Sequence, residues 1–420
     1  MSLLDFSRDA FIVTFFVYCA AFILYAVAVM GTKFSNRDPG VHGRKWGRIS
    51  FTVSSLGLAA HLTFFITRWI GGGHIPVSNM YEFMSFLSMM IMVAFTVVYL
   101  IFRKTILGLF ATPISIIIMA YAAVFPQQVQ PLIPSLQSYW LNIHVTLAAT
   151  GESFFAVGFA AAFMHLLRTV NFNSNVKSDR RQQRWVEFTL ICVVVVIGFI
   201  AAVFGFRAAG YESVFTQEKT TIDKQGQAIT DTSKVSYSLP PIVAPYNSEV
   251  ESFKPFLGLK EPLFHAPSWM SGINAGRKLN TVIWSVIVGI ILYGLIRLVM
   301  RKSIGKTISP LLQGLDPDDL DEISYRAIAI GFPIFTLGAL IFAMIWAQIA
   351  WGRFWGWDPK EVWALISWLY YSAYLHLRLS RGWQGRNSSW LAVIGFLVIM
   401  FTLVGVNLVI AGLHSYAGTM

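Results

Sequence analysis

Eight residues, Trp351 to Asp358, read WGRFWGWD and place three tryptophans and two glycines in a chain that otherwise reads as membrane. Six of the chain's 14 tryptophans, Trp346, Trp351, Trp355, Trp357, Trp363 and Trp368, fall within 23 residues. Tryptophan collects where membrane meets water, but such a belt accounts for about one or two residues per helix end, not six in one place. If the segment is locally helical, Trp351 and Trp355 share a face and Gly352 and Gly356 form a parallel stripe beside it. That face is an apolar shelf with small gaps, suited to a planar ligand.

Asp358 has a structural reading beside the functional one. DPKE makes Asp358 an N-cap, with Pro359 at the first helical position and Glu361 at the third, close to a capping box. The chain's eight histidines divide by position. His144, in WLNIHV, opens an apolar run, and His414, in AGLHSYAG, follows the last one. A lone histidine at a helix end is more often a surface residue. Two on the side that carries the tryptophans can ligate a planar iron macrocycle from both faces, because neutral imidazole is a common axial ligand. His61, His376 and Glu152 fall inside apolar runs, where an ionisable group carries a functional presumption. Each also has a bland reading: a packing histidine, a snorkelling residue, a partner for a basic group. His165 and His42 lie near base-rich ends, and His74 and His265 compete with His144 and His414 as ligands.

These residues need a membrane frame. Of 420 residues, 55% are hydrophobic and 13% charged, against about 25% charged in soluble domains. Windows of roughly 20 apolar residues, enough for about 30 Å of hydrocarbon, fall near 10–32, 48–70, 82–102, 106–125, 141–167, 186–207, 281–300, 328–350, 360–379 and 390–411. The first lacks a basic leading region and reads as a retained span. Lysines and arginines gather in alternate connections, among them Lys33, Arg44, Arg103, Arg168, Arg180, Arg301 and Arg381, while 71–81 and 126–140 have none. The positive-inside rule then puts both termini outside, on the side of WGRFWGWD. It also explains the excess of 32 Lys+Arg over 21 Asp+Glu without nucleic acid. Cys19 and Cys192 lie in apolar runs and form no CxxC pair. The expected fold is all-α: about ten transmembrane helices, divided into a six-helix part (1–207), an external polar loop or small domain (208–280) and a four-helix part (281–420).

WGRFWGWDPKEVWALISWLYYSAYLHLR resembles the WWD domain of the haem-handling proteins of cytochrome c maturation, specifically the CcsA/ResC family of system II. RWIGGGHIPVSNMYEF, WLNIHV and GVNLVIAGLHSYA extend the likeness from about residue 61 to 418. The resemblance implies a membrane protein that works with a CcsB/ResB-type partner, moving haem b outward and attaching it to apocytochrome c as a cytochrome c haem lyase. It makes His144 and His414 the catalytic pair and iron ligands, and His376 a third iron ligand within the membrane. The WWD segment, Trp351, Gly352, Arg353, Trp355, Gly356, Trp357 and Asp358, would contact haem. Arg353, Lys360 and Arg68 are the nearest bases for its propionates. A second membrane histidine is generally the partner's, so the likeness does not support His61. Further partners are thiol-reducing proteins, which keep the apocytochrome cysteines reduced, and membrane lipid. The host membrane is a plasma or thylakoid membrane, with the site on its periplasmic, luminal or outer face. Two alternatives stay open: a haem exporter or chaperone without ligation activity, and a haem-bearing quinol oxidoreductase subunit.

Overall fold

In a computed structural model, residues 2–31, 38–129, 137–222, 228–270 and 274–406 are described. The helices are α1 (Leu3–Met30), α2 (Pro39–Gly72), α3 (Met80–Phe102), α4 (Ile106–Ala122), α5 (Tyr139–Thr169), α6 (Lys177–Ala208), α7 (Ala275–Met300), the short α8 (Ile304–Ile308), α9 (Pro317–Phe335), α10 (Ala343–Trp351), α11 (Pro359–Ser380) and α12 (Arg386–Met400). A π-helical turn, Thr336–Phe342, joins α9 to α10, so that Pro317–Trp351 is one span of 35 residues. A second, Phe401–Gly405, continues α12.

A helix stands at each of the ten expected spans. Among the described residues eight are long and apolar enough to cross a membrane. Of the other two, α4 has 17 residues, about 25 Å at 1.5 Å per residue, and α11 has 22 but mixes its apolar residues with tryptophan, tyrosine and charge. The chain is therefore a mostly α-helical membrane protein. It divides into two compact units, Met1–Val186 with Gly305–Met420, and Glu187–Ile304.

In the first unit α5 is the most enclosed helix: every residue from Gly151 to Leu167 is buried, as expected of a helix apolar all round. Its neighbour is the α9 span, and glycines let the two backbones touch. A Cβ on Gly151 would stand 2.7 Å from the Phe335 backbone, and one on Gly338 would stand 2.6 Å from the Leu147 carbonyl carbon and collide with the Ala148 nitrogen. Gly158 and Gly331 repeat the close approach one heptad away on each helix, against Ile328 and Phe154. Between helices in lipid, where neither face gains by leaving the solvent, such contact is a main source of association.

Charge is handled by pairing. Arg68 Nε lies 2.9 Å from Glu82 Oε1, with both side chains almost fully buried. A second Arg68 nitrogen donates to the Gln127 carbonyl, and Ser78 donates its N–H and hydroxyl to Glu82 Oε2. This cluster fastens α2, α3 and the two segments 77–79 and 126–129. Arg378 and Asp321 form a second buried pair, 2.5 Å apart, which Ser388 and the Gly385 N–H join.

The second unit departs from an all-α chain. Between α6 and α7 lie β1 (Ser213–Ile222), β2 (Ala228–Tyr237), β3 (Val243–Ala244), β4 (Ser248–Ser252) and β5 (Phe264–His265). An antiparallel sheet has the order β2-β1-β4, and β3 pairs parallel with β5. Alternation drives it: Ser213, Phe215 and Gln217 are buried while Val214 and Thr216 are half-buried. Phe215 packs with Val235, Tyr237 and Ala244. The proline-rich SLPPIVAP stretch is tied to α7: Asn280 accepts from the Ile242 N–H and donates to the Pro240 carbonyl, which Trp284 Nε1 also reaches at 2.7 Å.

Glu82→Ala, which strands Arg68, is expected to cost about 3–5 kcal/mol, and Arg68→Met with Glu82→Leu to recover most of it; thermal unfolding of the detergent-solubilised protein measures both. Gly338→Ala is expected to cost about 1–3 kcal/mol by overpacking. The control is Gly294→Ala in α7, where a Cβ meets nothing within 4 Å; it is expected to stabilise by up to about 1 kcal/mol, and equal losses in the two would refute the close-packing account.

Candidate functional site

Trp351 is the last residue of α10 because Gly352 takes the left-handed conformation (φ 71°) and caps it, its N–H reaching the Gln348 carbonyl. The next helix starts at Pro359, capped by Asp358. Residues 352–358 are therefore an irregular turn, and the helical face expected to be shared by Trp351 and Trp355 does not form. A left-handed glycine ends a helix wherever the chain must turn, and the Asp-Pro pair starts a new one. The capping box read from DPKE is present: Glu361 Oε2 accepts from the Asp358 N–H at 3.2 Å, and Asp358 Oδ2 from the Lys360 N–H at 3.3 Å. Glu361 Oε2 also accepts from the Gly356 N–H at 2.7 Å, so one carboxylate holds the turn to the helix.

Beside this turn lies a surface-open cavity of about 200 Å³. One wall is α5, through Leu141, His144, Ala148 and Glu152. The facing wall has alanine at every fourth position, Ala339, Ala343 and Ala347, on the first π turn and α10. Phe354 and Trp355 from the turn, Lys360, Glu361 and Ala364 from α11, Thr402 and Leu403 from the second π turn, and 77–80 before and at the start of α3 complete it. The small alanine side chains on the second wall open a slot between it and α5.

His144 is the one histidine among the described residues that line this slot. Its Nδ1 lies 2.9 Å from the Gly338 carbonyl. A carbonyl only accepts, so Nδ1 carries the hydrogen and the lone pair is on Nε2. This is how ligating histidines are usually oriented, the second nitrogen donating to a carbonyl or carboxylate. The ring lies nearly parallel to the indole of Trp346, with centroids 5.7 Å apart and planes at 11°, and Trp351 abuts Trp346 edge-on at 4.7 Å. An imidazole of fixed tautomer beside an aromatic, alanine-walled slot fits a flat apolar macrocycle with a central metal.

The other expected site residues are distributed. Trp355 lines the cavity and meets Trp357 edge-on at 6.0 Å. Trp357, with φ 57°, is 70% exposed. Arg353 lies over Gly356, where a Cβ would meet its guanidinium. Of the three bases expected near the propionates, Arg68 belongs to the Glu82 cluster, and Lys360 is the one that lines the cavity. His376 is exposed near the far end of α11, about 24 Å along the helix from Lys360. His414 lies outside the described residues. His61 is buried with Nδ1 3.3 Å from the Tyr18 hydroxyl, His42 reaches the Val27 carbonyl, His165 pairs with Ser389, and His74 Nδ1 faces the Ile75 carbonyl; none of the four lines the slot.

Sequence reading did not single out the Gly338 carbonyl, the alanine wall or the seat of Trp346. Only the four-residue alanine spacing was visible beforehand, and it says nothing without its neighbour.

The sequence matches the family described as cytochrome C assembly protein over residues 77–218 and 282–414, which contain α5 and the whole of α9 to α12. It is 31% identical to the cytochrome c biogenesis protein CcsA of Nostoc punctiforme over 374 residues, 88% of either chain. The CcsA protein of a Picosynechococcus species is 30% identical over 390 residues, 92% of this chain and 91% of its own. With His144, the alanine wall and the WGRFWGWD turn all inside the matched regions, the chain belongs to the CcsA family of cytochrome c assembly proteins.

Proposed function

We propose that this membrane protein, whose family works in cytochrome c biogenesis, is the haem-handling subunit of a cytochrome c synthase. Haem b is its substrate, and the slot beside His144 is where haem is presented for attachment. The observation that carries this reading is the His144–Gly338 hydrogen bond at the cavity wall, which puts the ring hydrogen on Nδ1 and the lone pair on Nε2, the tautomer suited to a metal ligand.

In this reading base-rich connections lie in the cytoplasm, so both termini and the slot face outward. His376, toward the opposite end of α11, receives haem on the inner side together with a histidine of a CcsB/ResB-type partner. Nε2 of His144 holds the iron on one face and His414 on the other. Trp355 and the alanine wall bound the ring, and Lys360 meets a propionate as a charge-assisted donor. The two thiols of an apocytochrome CxxCH segment, kept reduced by thiol-reducing proteins, add across the two vinyl groups. Each addition makes one C–S bond and moves the thiol hydrogen to the other vinyl carbon, with no net oxidation. The protein's contribution is positioning: it fixes the ring against arriving thiols. The CxxCH histidine then displaces a resident imidazole, which releases the product.

Purified with its partner, the wild-type protein is expected to show the low-spin spectrum of bis-imidazole haem, and the His144→Ala/His414→Ala double variant to lose or shift it. Holocytochrome formation in cells is expected to fall to background in the same variant. An unchanged spectrum together with normal product would sink this site.

A further inference from the structure

One group on the slot has no part in the scheme so far. Glu152 is 6% exposed and lines the cavity, and its Oε2 is enclosed with no hydrogen-bond partner. Among the described residues of the same unit the buried ion pairs are Arg68–Glu82 and Arg378–Asp321, and neither includes it. A carboxyl group left so in a membrane bundle is expensive, and an unsatisfied buried polar atom calls for a partner. Its position indicates where that partner comes from. Residues 144, 148 and 152 are four apart, on one face of α5, and all three line the cavity. Glu152 stands two turns, about 12 Å, farther along the same wall as His144.

We propose that Glu152 is a carboxyl-binding subsite at the inner end of the slot, which takes one haem propionate and thereby sets the edge of the ring that faces out. The proposal rests on the reading of the slot as a haem site. An axial imidazole holds the macrocycle plane across the nitrogen–metal direction, so a ring on His144 lies along the face of α5. Haem is asymmetric about that axis, with vinyl groups toward one side and both propionates on another. Thiols on a polypeptide reach the vinyl groups only at the open end, which turns the acidic edge inward along α5. There two carboxyl groups meet in an apolar enclosure, where they share one proton because two like charges cannot both persist. The acid O–H donates to the carboxylate oxygen, a strong charge-assisted bond. The second propionate has the cation on the same cavity, Lys360. A ring inserted backwards would set vinyl groups against Glu152 and leave it unpaired, and that difference selects the orientation.

The experiment titrates haem b and its dimethyl ester into the haem-depleted complex, comparing wild type with Glu152→Met, Glu152→Gln and His144→Ala. Glu152→Met keeps the volume and removes the polar atoms. It is expected to weaken haem b by about 10- to 100-fold and to leave the ester unchanged. Glu152→Gln, which still donates, is expected to stay within about threefold of wild type. Equal weakening of both ligands by Glu152→Met, or of neither, overturns the proposal, as does wild type binding the ester as tightly as haem b. His144→Ala tests the haem reading separately: a low-spin spectrum that survives it with both ligands removes the site itself, whatever Glu152 does.

Discussion

The contact between the backbones of α5 and the α9 span governs the rest of the first unit. In lipid a helix gains little by exchanging hydrocarbon for another apolar helix, so close dispersion contact and interhelical hydrogen bonds decide which helices stay together. Gly151 against Phe335 and Gly338 against Leu147 and Ala148 supply the first. The second is His144, which reaches the Gly338 carbonyl only because that backbone lies against α5. The stacking of Trp346 on the imidazole follows from the register of the same helix. One steric condition, no side chain at two heptad-spaced positions on each helix, thus brings imidazole, acceptor and aromatic neighbour to one place.

Polar side chains then hold the edges. The Arg68–Glu82 pair reaches 77–79 through Ser78, and that segment supplies part of the slot's wall. Toward the far end of α11, the pair of Arg378 with Asp321, joined by Ser388, ties the last turns of α11 to the starts of α9 and α12. Both pairs are buried; Glu82 uses both carboxylate oxygens, the condition under which buried charge is tolerated, while Asp321 Oδ1 stays without a hydrogen-bond partner.

How much of this could be read from the amino acids depends on how local the cause is. The cap at Asp358 was legible because its partners lie within three residues, and the helices were legible because hydropathy is a property of one segment. The family resemblance was carried by WGRFWGWD, a local string. The break at Gly352 was a harder case: a glycine between two tryptophans fits a helical stripe and a left-handed cap equally well, and only the path of the chain decides. Arg68 was misplaced among the propionate partners because its carboxylate stands 14 residues away on another helix. The Gly338 carbonyl was invisible, since a backbone oxygen leaves no mark in a sequence and glycines seven apart mean nothing until a neighbour is known. The strands between α6 and α7 were hidden by a polar composition that a structureless loop shares.

The two π turns have a consequence for how this fold tolerates change. A π turn is an α-helix carrying one extra residue, and Thr336–Phe342 and Phe401–Gly405 both border the slot. Loss of one residue at either place would leave a continuous apolar helix, the same number of membrane crossings and the same hydropathy profile. Everything beyond it would nevertheless be rotated by about 100°, carrying the alanine wall and Trp346 away from α5 in the first case. Length variation at these two places is therefore silent for insertion and ruinous for the site, the reverse of what holds in the connecting loops.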